Sequence, residues 1–92
     1  MKVNFYATLR SIVGRKTVEV EMLPQATARD LVDSIIQEYP ALRRELLDEK
    51  NEFSRFIKFF INGREAIYLE DKMNTVIQPD DTVDIFPPVG GG

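Results

Sequence analysis

Ninety-two residues carry enough apolar surface for one core and too little for two. With 43% hydrophobic and 29% charged residues, the chain has the make-up of a folded globular domain rather than a disordered tail or a fibrous repeat. A net charge of −3 excludes the clustered basic excess that nucleic-acid and membrane-surface binders need, and the absence of both cysteine and histidine excludes disulfides, iron–sulfur clusters, catalytic thiols and the commonest zinc ligands.

The first predicted element is a strand over Lys2–Thr8. Its alternation turns Val3, Phe5 and Ala7 to one side and Asn4, Tyr6 and Thr8 to the other. Leu9–Val13 reads as a short apolar turn or helix closed by Gly14. Thr17–Met22 alternates again, with Val18, Val20 and Met22 inward, so the first two strands form a hairpin with a wide connection. Pro24 breaks that strand. Thr27, followed three residues later by Asp30, is a variant of the capping box and opens a helix. Leu31, Val32, Ile35, Ile36 and Tyr39 form its apolar stripe. Pro40 ends it, because the residue before proline avoids the helical region. A second short helical stretch over Ala41–Asp48 turns Leu42, Leu46 and Leu47 inward, and Glu49–Ser54 is a polar loop.

Phe56–Ile61 is the third strand, rich in aromatic and β-branched residues. Asn62-Gly63 is the strongest short hairpin signal available, and Glu65–Leu69 is the expected return strand. Glu70–Val76 is irregular, Pro79-Asp80-Asp81 is a turn, and Thr82–Phe86 is the last strand. One long helix over one face of a mixed sheet of four or five strands makes an α+β roll of the β-grasp type. The expected division is a domain over 1–86 and a flexible C-terminal tail over 87–92. No apolar run reaches the length that crosses a bilayer, which makes a cytoplasmic location the expectation.

The ending Pro87-Pro88-Val89-Gly90-Gly91-Gly92 is the part of the sequence that points to chemistry. Two prolines favour a stiff, extended departure from the sheet. Six residues reach about 20 Å when extended. Three glycines, with no Cβ atoms, fit a narrow channel in a partner protein. A carboxylate on Gly92, delivered by such an arm, is a substrate for attack on the α-phosphate of ATP. The catalytic machinery would then belong to the partner, as befits a chain without histidine, cysteine or a phosphate-binding loop. The acidic residues Glu19, Glu21, Glu49, Asp71, Asp80, Asp81 and Asp84 read as a solvated shell rather than a catalytic pair, and Lys58 and Lys72 as salt-bridge partners for neighbouring carboxylates.

Strand alternation also predicts a partner surface. If Val3 and Phe5, Phe59 and Ile61, and Val83 and Ile85 face the helix, then Tyr6, Phe60 and Phe86 share the opposite face. Neighbouring first and last strands would gather them into one exposed aromatic patch at the root of the tail. Such clusters mark binding sites, and aromatics anchor interfaces.

Several segments resemble the molybdopterin synthase small subunit (MoaD-like proteins) among the ubiquitin-like sulfur carriers. They are Lys2–Arg10, Val13-Gly14, Thr27–Leu31, Phe60–Arg64 and Asp84–Val89 before the glycines, so the resemblance spans essentially the whole chain. It implies a β-grasp domain that binds no cofactor or metal itself. An adenylating enzyme of the ubiquitin-activating type would use ATP to activate Gly92, and sulfuration would then give a thiocarboxylate. The large subunit of molybdopterin synthase would receive the tail in a heterotetramer, where sulfur passes to the pyranopterin precursor. By position, the resemblance makes Gly91 and Gly92 the reactive terminal pair, and Tyr6, Arg10 and Phe86 partner contacts, beside Phe60, Pro87, Pro88, Val89 and Gly90 at the tail root. Gly90 departs from the small non-glycine residue usual in that family and is similar to what some archaeal ubiquitin-like modifiers carry. The alternatives are therefore a protein modifier joined through Gly92 to lysines, a sulfur carrier for thiazole synthesis, or a binding domain with an inert tail.

Overall fold

A computed structural model describes residues 1–88. Five strands form one mixed sheet: β1 (Lys2–Phe5), β2 (Thr17–Glu19), β3 (Lys58–Ile61), β4 (Arg64–Glu65) and β5 (Thr82–Phe86), in the spatial order β2-β1-β5-β3-β4. The central pair β1 and β5 is parallel, with Val3 beside Val83 and Phe5 beside Ile85. The pairs β1–β2, β3–β5 and β3–β4 are antiparallel. The first and last strands thus meet at the centre of the sheet, the arrangement of a β-grasp roll.

The long helix α2 (Ala28–Glu38) covers one face. Its start is set by a complete capping box. The Asp30 N–H donates to Thr27 Oγ1 at 3.1 Å and the Thr27 N–H donates to Asp30 Oδ2 at 2.9 Å, which satisfies two of the free donors at the helix end. Ala28, Leu31, Val32, Ile35 and Ile36 are its buried residues. They pack against Val3, Phe5, Phe59, Ile61, Val83 and Ile85 from the sheet. Beyond Pro40, a single 3₁₀ turn (Pro40–Leu42) leads into α3 (Arg43–Leu46), and Leu42, Leu46 and Leu47 close the end of the core as expected.

Several boundaries differ from expectation. The first strand stops at Phe5, and Ala7 is exposed at φ 52° in the first turn of helix α1 (Ala7–Val13). Leu9 fills the inward place that alternation assigned to Ala7. Gly14, at φ 90°, caps this helix with its N–H on the Arg10 carbonyl. Strand β2 ends at Glu19, although Val20 stays buried and Met22 packs on the core. Strand β3 begins at Lys58, because the preceding Ser54–Ile57 segment turns, with the Ile57 N–H on the Ser54 carbonyl. The hairpin at Asn62-Gly63 forms with positive φ at both residues (51° and 83°). Its return strand is only Arg64–Glu65, after which the chain winds into a 3₁₀ turn over Ala66–Tyr68. Ala66 is buried in that turn. Among the described residues, no helix is long and apolar enough to cross a membrane.

Candidate functional site

The site is the outer face of the sheet where β5 ends. Val83 and Ile85 point under the helix, so Thr82, Asp84 and Phe86 point outward. The parallel register puts Asn4 beside Asp84, and the antiparallel register puts Phe60 beside Asp84 and Lys58 beside Phe86. Tyr6 follows Phe5 directly and serves as the N-cap of α1 in extended conformation (φ −124°, ψ 152°). Its N–H donates to the Ile85 carbonyl at 3.3 Å, which ties the end of β1 to the end of β5.

Three aromatic rings meet at this point. Tyr6 stacks on Phe86 with ring centres 4.1 Å apart and planes 10° from parallel. Phe60 meets Phe86 edge to face at 5.6 Å and 84°. The edge-to-face pair is a geometry that the ring quadrupoles favour, worth about 0.5–1.5 kcal/mol beyond simple burial. The structure thus brings Tyr6, Phe60 and Phe86 together. It also corrects one expectation: the rings are half-buried against one another rather than fully exposed. Arg10 is exposed one turn into α1, its N–H on the Tyr6 carbonyl at 3.4 Å. Pro87 is half-buried and Pro88 exposed, directly beyond Phe86. The expected partner contact Val89 and the expected channel-threading and reactive residues Gly90, Gly91 and Gly92 lie outside the described residues.

Asp84, expected in a solvated acidic shell, belongs instead to this site. It is half-buried, and its Oδ1 accepts from the Tyr6 hydroxyl at 2.8 Å and from Asn4 Nδ2 at 2.9 Å. Thr17 Oγ1 in turn donates to Asn4 Oδ1 at 2.6 Å. The hydrogen bond to Asp84 raises the Tyr6 phenol above the ordinary tyrosine range, reinforced by burial and by the Asp84 charge. Lys16 Nζ lies 5.2 Å from the centre of the Tyr6 ring, within cation–π range. The signal for Asp84 was its place two residues before Phe86, on the same face of one strand. The signal for Lys16 was weaker, since only the fold brings the α1–β2 connection to Tyr6.

Two other features flank the site. Lys58 pairs with Glu65 at 3.7 Å, the ion pair expected of it. Phe56, two residues before β3, is 61% exposed, with the Arg55 guanidinium 4.9 Å from its ring centre. Sequence periodicity assigned Phe56 to a strand and so gave it no place in a site.

What this arrangement provides is an aromatic footing for the chain that continues past Pro88. Among the described residues, the polar side chains beside that footing include those of Asp84, Asn4 and Lys16.

The model of the ThiS family matches residues 3–92. Small archaeal modifier protein 3 of Haloferax volcanii is 35% identical over 92 residues, all of this chain and 98% of that protein. The crystal structure of SAMP1 from the same organism superposes with a TM-score of 0.88 at 27% identity, covering 99% of this chain and 97% of that one. A putative molybdopterin converting factor, subunit 1, from Pyrococcus furiosus superposes with a TM-score of 0.76 at 26% identity, covering 96% of this chain and 95% of that one. On the strength of a family match along nearly its whole length and a β-grasp sheet with β1 and β5 at its centre, the chain belongs to the ThiS family of ubiquitin-like sulfur carriers.

Proposed function

We propose that this chain is a ubiquitin-like modifier activated at Gly92 and joined through it to lysines of other proteins. The observation that carries the reading is the aromatic footing of Tyr6, Phe60 and Phe86 at the point where β5 releases Pro87-Pro88 toward the glycines. In the first step the Gly92 carboxylate attacks the α-phosphorus of ATP on a partner enzyme. Pyrophosphate leaves and an acyl-adenylate forms. The acyl carbon then accepts a nucleophile and AMP departs. With a lysine amine the product is an isopeptide, and the amine loses a proton. With a sulfide donor the product is a thiocarboxylate. ATP is used on the partner, and this chain acts as co-substrate. The likeness to small archaeal modifier protein 3 along the whole chain favours the isopeptide.

The second reading is sulfur donation to the pyranopterin precursor, with the tail seated in a molybdopterin synthase large subunit. It is favoured by the likeness to the Pyrococcus furiosus protein. One experiment separates the two. The tagged chain is expressed in cells and recovered, and both its intact mass and its conjugates are read by mass spectrometry. Gly92 on target lysines supports the modifier. A sulfur-for-oxygen mass gain on the free chain, with a co-purifying large subunit and no conjugates, supports the sulfur donor. Neither product, from cells in which Gly92 is intact, rejects both.

A further inference from the structure

An aromatic cluster on a sheet face is ordinarily completed by apolar neighbours. Here the position between Phe60 and Asn4 on the central strand holds a carboxylate, Asp84. Aspartate is disfavoured in strands, and half-burying its charge is costly unless donors satisfy it. Its Oδ1 has two, the Tyr6 hydroxyl and Asn4 Nδ2. Asn4 is held in turn by Thr17 at 2.6 Å. A chain of side-chain hydrogen bonds therefore runs from edge strand β2 through β1 to β5 and ends on the phenol of Tyr6. That phenol carries the ring that lies flat on Phe86.

We infer that Asp84 is a positioning residue: by anchoring the Tyr6 hydroxyl it holds the Tyr6 ring parallel to Phe86 beside the point where the chain leaves β5. A half-buried ring held by apolar contact alone can slide over its neighbour and tilt out of parallel. A ring tethered at its hydroxyl and at its backbone keeps one orientation. The Tyr6 backbone is tethered as well, through its N–H on the Ile85 carbonyl. The stacked pair then presents a preformed surface, and the partner that takes the tail need not order it on binding. This inference rests on the proposed activation of Gly92 only for its functional consequence. The positioning itself is a property of the free protein.

The test uses the full-length chain and the variants Tyr6→Phe, Asp84→Ala and Asp84→Asn. Asparagine keeps the Oδ1 acceptor and removes the charge. The readouts are the NMR shifts of the Phe86 ring protons, which the stacked Tyr6 ring displaces, and the KM and kcat for adenylation by the activating enzyme. Tyr6→Phe and Asp84→Ala are expected to move the Phe86 shifts toward unstacked values, and Asp84→Asn to retain the wild-type shifts. Asp84→Ala is expected to raise KM about fivefold, the worth of one side chain no longer held in place, with kcat unchanged. Wild-type Phe86 shifts in Tyr6→Phe reject the inference, because the ring then stacks without its tether. Loss of stacking in Asp84→Ala with unchanged KM supports the positioning and rejects its consequence for adenylation. If the wild-type chain is never adenylated, the proposed function fails, and the NMR arm still decides the role of Asp84. Should Asp84→Ala not fold, Tyr6→Phe and Asp84→Asn carry the decision.

Discussion

The Tyr6 ring lies 4.1 Å from the Phe86 ring and nearly parallel to it, although the two residues are 80 positions apart in the chain. Tyr6 sits where β1 gives way to a helix, and Phe86 is the last residue of β5. The parallel pairing of β1 and β5 makes them neighbours, and this contact stands at the exit of the segment that carries the proposed chemistry.

Phe86→Ala removes the ring that both Tyr6 and Phe60 contact. Loss of an interfacial aromatic anchor costs on the order of 2 kcal/mol of binding. The dissociation constant for the activating enzyme, measured by calorimetry, is therefore expected to rise by more than tenfold, while the circular dichroism spectrum stays that of the wild type. An unchanged constant removes Phe86 from the interface.

The Tyr6 phenol titrates above the ordinary tyrosine range because its hydroxyl donates to Asp84, with burial and the Asp84 charge acting in the same direction. The folded chain thus holds this proton more tightly than the unfolded chain does. The stability linked to it is present in full below the unfolded tyrosine pKa and is lost as pH rises through the folded value. In Asp84→Ala the Tyr6 transition is expected to move to lower pH, followed on the Tyr6 Cζ resonance. A transition that stays in place rules out Asp84 as the cause.

Leu31 is fully buried between α2 and the sheet. Leu31→Ala should cost about 2–5 kcal/mol, from lost burial and the cavity left behind. Leu23, by contrast, is 82% exposed, and Leu23→Ser should stay within about 0.5 kcal/mol of the wild type. Urea unfolding of the two variants provides the comparison. Equal midpoints would place the core elsewhere.

Gly63 adopts φ 83° in the β3–β4 turn, and a Cβ there meets nothing within 4 Å. Any cost of Gly63→Ala is consequently backbone strain alone, about 1–2 kcal/mol. A loss in that range by denaturant unfolding is expected. No loss would mean that the turn relaxes to a conformation open to alanine.

Much of this protein was legible in its sequence because the relevant physics is local. The period of α2, its Thr27–Asp30 cap, the Asn62-Gly63 turn and the alternation of β5 depend on residues a few positions apart. From them the β-grasp roll and the common face of Tyr6, Phe60 and Phe86 followed. Alternation failed at Ala7, Phe56 and Tyr68, where a helix, a turn and a 3₁₀ segment replace strand, because the lengths of β1, β3 and β4 are set by what each pairs with. Only the tertiary structure decided the role of Asp84. Whether a carboxylate faces water or anchors a ring depends on donors from distant strands, here Asn4 and Tyr6, and nothing in the run of residues around Asp84 encodes their arrival. The glycine-rich ending shows the reverse division: the chemistry proposed for it rests on residue type alone, since the absence of side chains is a property of the residues themselves, whereas the footing from which it departs exists only because β1 and β5 pair side by side.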